Sequence, residues 1–129
     1  MAVTDFRIAV ESLDQGIARI RVAGDVDVRA APDLKERLDG LVQEGHSRLL
    51  VDLSEAVFID STALGVLLAT VRELRKRRGR LAVFCPDPAM HELFELVGHN
   101  LIFPVESTFE RALRHLGGRR RFPRRRPAP

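Results

Sequence analysis

The sequence contains no tryptophan, no tyrosine and a single cysteine, Cys85. Phe is the only aromatic residue, so the interior must be built mainly from Leu, Val, Ile and Ala. One cysteine excludes an internal disulfide and fits a reducing environment, so we expect a cytoplasmic location. No apolar run approaches the ~20 residues of a membrane-spanning helix, and the first residues lack a signal-peptide pattern. We therefore expect neither a membrane span nor secretion.

Patterns typical of metal, nucleotide and hydrolase sites are also missing. The four histidines are scattered, Cys85 has no zinc-type spacing to any of them, and no glycine-rich phosphate loop is present. The G-x-S-x-G pattern of serine hydrolases is absent, because Ile59 and Ala63 flank Ser61. We expect no metal, no cofactor and no enzymatic activity.

A further candidate is an acidic phosphoacceptor cluster that holds a metal, as in two-component receivers of similar size. The acids available for such a cluster are Asp25, Asp27, Asp52 and Asp60. No pair of adjacent acids follows the first strand, and acids near strand ends are common surface residues. The sequence therefore does not favour a receiver-type site.

Positive charge is concentrated at the end of the chain. The formal net charge is +3, yet residues 119–129 contain six arginines and no acid, which leaves residues 1–118 with a net charge of −3. This Arg/Pro-rich segment has no apolar face to bury, so we predict a domain at 1–117 and a disordered tail at 118–129. At low salt the tail is expected to bind RNA, DNA or acidic membranes weakly, and no specific nucleic-acid partner is predicted.

Apolar periodicity predicts an α/β fold. Alternating residues indicate strands at 6–10 and 17–22 that form an antiparallel hairpin, after which residues 24–27 leave the sheet. A helix is predicted from about Ala30 to Glu44, followed by a doubly buried parallel strand at 48–53 and, after a short linker, an apolar triplet at 57–59. The next predicted elements are a helix between Ser61 and Gly79, a strand at 81–85 and a helix between Asp87 and Gly98. A strand at 101–103 and a helix from a Ser107–Glu110 capping box to about Leu116 complete the order. This order predicts one domain with a mixed β-sheet and alternating helices.

Ser61 stands where a strand region gives way to a helix, between Asp60 and Thr62. Loops at the carboxyl ends of strands commonly carry function in open α/β sheets. On spacing alone, the commoner role for this serine is a helix cap that contributes about 1 kcal/mol. The sharper alternative is phosphorylation, because a helix N-terminus accommodates phosphate while its charge of about −1.5 to −2 would repel a partner. A catalytic role needs a base, which no histidine spacing supplies.

The segment 58–65, FIDSTALG, and the preceding LVDLS at 50–54 resemble the signature of STAS domains. The branch to which the chain is most similar is that of the bacterial anti-sigma factor antagonists. The likeness extends over 6–116 and includes the GDVD turn at 24–27 before Ala31 and Pro32. Ala63 stands where the family often has glycine, and the Arg/Pro tail lies outside the family pattern.

The resemblance implies a STAS fold and a non-enzymatic binding function. Such proteins bind an anti-sigma factor, usually a serine kinase related to histidine-kinase ATPase domains, and so release a sigma factor for transcription. The kinase would phosphorylate Ser61, with Thr62 as a weaker alternative, and a cognate phosphatase would restore binding. The partner-binding residues implied are Asp25, Asp27, Asp60, Ser61, Thr62 and Leu64.

STAS domains also serve as structural adaptors, which is the competing interpretation. The chain would then belong to a stressosome-like assembly or a lipid-transport complex, and Ser61 would act mainly as a helix cap. An adaptor of this kind should assemble into larger particles or require a membrane partner, so size-exclusion behaviour separates the two. The sequence leaves the possibility of a homodimer open.

Overall fold

The computed structural model describes residues 5–97 and 102–118, except for the side chain of residue 97. The elements are β1 (Arg7–Ser12), a 3-10 turn (Asp14–Gly16), β2 (Ile17–Val26), α1 (Ala31–Gln43), β3 (Arg48–Ile59), α2 (Ser61–Lys76), β4 (Arg80–Phe84), α3 (Pro88–Val97), β5 (Val105–Glu106) and α4 (Phe109–His115). Within these described ranges no helix is long and apolar enough to cross a membrane.

Five strands form one mixed sheet in the order β1-β2-β3-β4-β5. β1 and β2 pair antiparallel, whereas β2, β3, β4 and β5 pair parallel with their neighbours. The predicted α/β class, the mixed sheet and the N-terminal hairpin are therefore confirmed. Parallel strands all point the same way, so β2, β3 and β4 end at one edge of the molecule, and the loops that follow them lie together there.

Helices cover both faces of the sheet. Leu49, Leu50 and Val51 are all fully buried, as expected for a parallel strand between two layers. On one face, alternate strand residues pack with the apolar stripes of α1, α2 and α3 in the larger core. On the other face α4 covers a smaller cluster, in which Leu50 packs with Ala112 and Leu116.

The central strands are longer than the sequence pattern suggested. Residues 24–26 were expected to leave the sheet, but they remain in β2 and pair with residues 56–59 of β3. The expected linker between 53 and 57 does not exist either, because β3 is continuous to Ile59. Gly24, at φ +87°, lies next to a register shift that lets the two strands stay paired.

The last part of the fold also differs from the prediction. The short strand expected at 101–103 was wrong: residues 102–103 lie outside the sheet, and β5 is Val105–Glu106. Phe103 is instead a core residue, in edge-to-face contact with Phe94 at 6.3 Å between ring centroids. The adjacent Ile102 is half-buried and packs against the same core. The helix stop expected at Gly98 lies outside the described residues.

The capping residue of α4 was also misassigned. The expected capping box used Ser107 and Glu110, but Thr108 is the cap, and its hydroxyl accepts a hydrogen bond from the Arg111 N–H at 3.2 Å. The helix therefore starts one residue later than the box implies. The Ser/Thr pair at 107–108 offered two equally good caps, and the sequence pattern alone did not distinguish them.

Candidate functional site at the carboxyl edge of the sheet

The ends of β2 and β3 lie side by side at the carboxyl edge of the sheet. Asp25 is paired in register with Phe58, and Val26 with Ile59. The backbone N–H of Asp60 donates to the Val26 carbonyl at 3.2 Å, which holds the start of α2 against the end of β2. The two sequence motifs that the resemblance linked, GDVD and DSTA, are thus neighbours in space.

Asp60, and not Ser61, is the N-cap of α2. Asp60 is extended, at φ −115° and ψ −179°, and its carboxylate accepts a hydrogen bond from the Ala63 N–H at 3.1 Å. Ser61 is the first residue of the helix. The helix-cap interpretation of Ser61 was therefore wrong, because a cap must precede the helical residues and Asp60 already occupies that position.

Ser61 and Thr62 are both exposed on the first turn of α2. With the cap supplied by Asp60, the Ser61 hydroxyl is not required to complete the helix end. The N–H groups of the first turn point out of the helix, and the macrodipole gives this end a partial positive charge. A phosphoryl group on Ser61 would therefore be electrostatically compatible with the helix start, while its charge would lie next to the Asp60 carboxylate.

Asp27 forms a compact turn directly after β2. One carboxylate oxygen accepts the Arg29 backbone N–H at 3.0 Å, and the other accepts the Arg29 guanidinium at 2.7 Å. The Asp27 carbonyl also accepts the N–H groups of Ala30 and Ala31, which leads the chain into α1. The hydrogen bond from Arg29 lowers the pKa of Asp27, so this carboxylate is charged at neutral pH.

An open acidic depression of about 280 Å³ adjoins this turn. Arg29 is the one basic residue in its lining, which otherwise carries the carboxylates of Asp5, Asp25, Asp27 and Asp33. Asp25 is half-buried within β2 rather than on a free turn. The predicted residues Asp25, Asp27 and Asp60 therefore contribute to one negatively charged edge next to Ser61.

An apolar surface lies on the other side of Ser61. Leu64 is half-buried and lines a small depression of about 70 Å³ together with Ile59, Ser61 and the α3 residues Leu93 and Phe94. Leu93 is 42% exposed. The sequence did not predict Leu93 as a site residue. Its helical spacing matched the core stripe and carried no signal of exposure.

Two further apolar residues are exposed near the end of β3. Val57 and Phe58, the first two residues of the apolar triplet at 57–59, are 62% and 49% exposed. The pairing of β3 with β4 ends at Asp52, so the last part of β3 extends beyond its neighbour. Val28 is also exposed, just after β2. Apolar side chains thus surround the charged residues at this edge, as in many protein-binding surfaces.

Of the four histidines, His99 lies outside the described residues. His46, His91 and His115 each lie near a glutamate, and none of these three lines the depression beside Ser61. Asp52 does not join the other acids, because it is buried beneath α4 and paired with Arg19 at 2.6 Å. In the described ranges 5–97 and 102–118 no three His, Cys, Asp or Glu residues converge as metal ligands.

Comparison with known proteins gives the family. The pattern of the STAS domain matches residues 11–112, which is most of the chain. The chain belongs to the STAS domain family. STAS relatives include the anti-sigma-B factor antagonist of Listeria monocytogenes, 32% identical over 100 residues that cover 78% of this chain and 88% of the relative. The anti-sigma-B factor antagonist of Bacillus subtilis is 30% identical over 92 residues, covering 71% of this chain and 84% of the relative.

A solved structure agrees with these relatives. The crystal structure of an anti-sigma factor antagonist from Mycobacterium paratuberculosis matches with a TM-score of 0.78 and 30% identity, covering 88% of this chain and 95% of that chain. This STAS chain is therefore homologous to anti-sigma factor antagonists over most of its length, and the expected family and fold are confirmed.

Proposed function

We propose that this STAS domain is an anti-sigma factor antagonist, and that phosphorylation of Ser61 switches off its binding to an anti-sigma factor. The observation that carries the proposal is the exposed Ser61 hydroxyl at the first position of α2, set between acidic and apolar surfaces. Relatives named anti-sigma-B factor antagonists, at 32% and 30% identity, support the choice of partner.

The partner we propose is a serine kinase that is itself the anti-sigma factor, related to histidine-kinase ATPases, with a phosphatase to reverse the modification. In the unmodified state, Leu64, Leu93 and Phe58 supply apolar contact area around the Ser61 hydroxyl. Asp27 and Asp60 supply fixed negative charge at the rim, which favours a partner with basic residues there. Binding would free the sigma factor, and the STAS domain itself would act as a cytoplasmic, non-enzymatic regulator.

Phosphorylation would affect the complex far more than the fold. The phosphate adds a charge of about −1.5 to −2 at a solvent-exposed helix start, where the macrodipole tolerates it. In a complex the same charge would be desolvated beside Asp60 and among apolar side chains, which is costly without a paired cation. The switch thus follows from the difference between a solvent-exposed phosphate on Ser61 in the free protein and a desolvated one in the complex.

Two substitutions at Ser61 test the proposal. We expect Ser61→Ala to keep binding to the cognate anti-sigma factor and to resist inactivation by kinase and ATP. We expect Ser61→Glu to weaken the affinity by about tenfold or more, equivalent to about 1.4 kcal/mol. Isothermal titration calorimetry measures the affinities, and circular dichroism verifies that both variants are folded.

Thr62→Ala is the matched control, because Thr62 is an exposed hydroxyl on the same turn. It should bind and be phosphorylated like the wild type, and intact-mass analysis of protein from native cells should show one phosphate, located on Ser61. Equal binding by the Ala and Glu variants would contradict the switch and favour the structural adaptor. Phosphate found only on Thr62 would move the switch to that residue.

A further inference from the structure

Strand β1 forms one edge of the sheet, and within residues 5–97 and 102–118 no strand pairs with its outer side. The opposite edge strand, β5, has only two residues, whereas β1 has six. Proteins usually protect an exposed edge strand with proline, a bulge or a charge that points inward. β1 contains no proline and no glycine, and its register with β2 is regular. Its outer side is therefore a surface on which a further strand can pair.

The backbone groups on the outer side of β1 belong to its even-numbered residues. The Leu13 N–H donates to the Ile17 carbonyl at 2.7 Å, and from there the register with β2 continues without a break. Hydrogen-bonded pairs alternate with non-hydrogen-bonded pairs in an antiparallel ladder, so the odd-numbered residues of β1 bond towards β2. The N–H and carbonyl groups of Ile8, Val10 and Ser12 consequently point outward.

The side chains of β1 are arranged symmetrically about Ala9. Arg7 and Glu11 lie two residues before and after it and are exposed on one face of the sheet. Ile8 and Val10 flank it on the other face, half-buried at the rim of the larger core. When a second copy pairs antiparallel with Ala9 opposite Ala9, Arg7 of each copy faces Glu11 of the other, and Ile8 forms a hydrogen-bonded pair with Val10. The strand is thus complementary to itself in charge, in apolar contact and in backbone hydrogen bonding.

This register is the one that brings the opposite charges together. A centre of symmetry at Ile8 would place Asp5 opposite Glu11, and like charges directly across a ladder are destabilising. A centre at Val10 would place Arg7 opposite Leu13. Neither alternative sets an arginine directly across from an acid, so charge favours the register centred on Ala9.

The two charged side chains are available for such contacts. In the described part of the chain Arg7 has no acidic partner. Glu11 contacts Arg19 at 3.5 Å and Arg21 at 3.9 Å, both through its Oε1 oxygen, and its side chain is 46% exposed. A carboxylate has about four sites that accept hydrogen bonds, so these two long contacts do not exhaust it. Arg7 of a second copy would therefore add to the existing contacts of Glu11 and not replace them.

We propose that two copies of this chain pair through β1, antiparallel and centred on Ala9, and form a homodimer with one continuous sheet of ten strands. The pairing uses the exposed edge of each copy once, so the assembly closes at two. One strand pair buries little surface, and we expect a dissociation constant on the order of 10 to 100 µM. The parallel strands of the two copies point in opposite directions, so the two Ser61 hydroxyls lie at opposite ends of the dimer.

Charge reversal tests the pairing, with the dissociation constant of the full chain measured by sedimentation equilibrium. Arg7→Glu alone, or Glu11→Arg alone, places like charges opposite each other twice, and each variant should dimerise at least tenfold more weakly. An equimolar mixture of the two variants sets opposite charges across from each other in a mixed dimer, and should regain dimerisation. Arg72→Glu and Glu73→Arg, two exposed reversals on α2, are the matched controls and should dimerise like the wild type. Circular dichroism verifies that the variants are folded.

Disulfide formation tests the register without disturbing the charges. In the proposed dimer the Cα atoms of the two Ala9 residues lie in a non-hydrogen-bonded pair about 4.5 Å apart, within disulfide range. Ala9→Cys, made in a Cys85→Ala background, should therefore cross-link on oxidation with copper phenanthroline. Ser12→Cys in the same background is the matched control, because it is exposed on the same strand but its two copies lie about 20 Å apart. It should stay monomeric on a non-reducing gel.

The other outcomes would overturn the proposal. A chain that stays monomeric at millimolar concentration has no such dimer, and cross-linking of Ser12→Cys as fast as Ala9→Cys would exclude the register. If the charge variants dimerise like the wild type and Phe58→Ser does not, the copies meet at the carboxyl edge instead of β1. Particles larger than a dimer would contradict a closed pair and favour the adaptor. Ser61→Glu should dimerise like the wild type, so a failure of the phosphorylation switch leaves this test unaffected.

Discussion

Asp60 joins two elements through both its backbone and its side chain. Its N–H bonds to the Val26 carbonyl, while its carboxylate caps α2 through the Ala63 N–H. This double attachment fixes the position of Ser61, the next residue, relative to the end of β2. The negative charge next to the proposed phosphorylation site is therefore also a structural requirement of the helix start.

Replacing Asp60 with Ala should destabilise the fold by about 1 kcal/mol, since the Ala63 N–H loses its acceptor. Asp60→Asn should retain most of the stability, because an amide oxygen caps a helix nearly as well. Urea denaturation of the three proteins measures the difference. Equal losses of stability in the Asp60→Ala and Asp60→Asn variants would mean that the negative charge, and not the capping hydrogen bond, stabilises α2.

Cys85 is fully buried, and burial raises the pKa of its thiol to about 11 from 9.0. We expect the native thiol to react with a thiol reagent at pH 8 about 100-fold or more slowly than in urea, because so little thiolate forms. The raised pKa also means that the unfolded chain loses this proton first, so stability should fall as pH rises from 9 through 11. The Cys85→Ala variant should not show this fall in stability. Equal reaction rates of the Cys85 thiol in the native protein and in urea would contradict this prediction.

At the scale of elements, a buried ion pair joins β2 to β3 beneath α4. Asp52 is 1% exposed and accepts two hydrogen bonds from the Arg19 guanidinium, at 2.6 and 2.9 Å. Its second oxygen accepts the Ser54 N–H, and the Arg19 guanidinium lies 4.9 Å from the centre of the Phe109 ring. The pair therefore connects two strands and the helix that covers them.

Asp52→Asn should lower the free energy of unfolding by about 3 kcal/mol, because Arg19 then keeps a partly buried charge without its main partner. Glu55→Gln is the control, since Glu55 and Arg21 form an exposed pair at 3.7 Å that should contribute less than about 1 kcal/mol. Denaturant unfolding gives both values. Similar losses for the two variants would show that burial adds little to the Arg19–Asp52 pair.

At the scale of the whole molecule, charge is separated along the sheet. The carboxyl edge carries Asp25, Asp27 and Asp60, and the opposite end, where β3 and β4 begin, carries Arg48 and Arg80. Parallel strands make this separation possible, because all their carboxyl ends share one edge and all their starts share the other. The proposed partner site at the carboxyl edge is therefore separate from the starts of the parallel strands.

The domain boundary gives a prediction for the whole chain. A chain ending after Gly118 should unfold at the same temperature as the full sequence, because the Arg/Pro-rich sequence of 119–129 offers no apolar face to bury. A chain ending after Arg114 loses Leu116, which is 1% exposed, and its melting temperature should fall by about 10 °C or more. Differential scanning calorimetry compares the three. A large loss on removing only residues 119–129 would show that the tail is part of the folded unit.

The central elements were predictable because their signals are local. The stripe through Leu67, Val71 and Leu74 gave α2, and the unbroken apolar run at 49–51 gave a doubly buried parallel strand. The signature around Ser61 was sufficient to identify the family. Strand ends were less predictable, since the length of β3 depends on the residues of β2 that lie beside it. Phe103 shows the same limit, because an apolar residue can be buried in a core without belonging to a strand.

The sequence by itself determined the order of elements and the family, because periodicity and a short motif are properties of neighbouring residues. Only the tertiary structure decided that Asp60 is the cap, that Val57, Phe58 and Leu93 are exposed, and that Asp52 is buried in an ion pair with Arg19. These features depend on which residues are in contact across the sheet and on where one strand extends beyond its neighbour. Such contacts join residues far apart in the chain, and no local pattern encodes them.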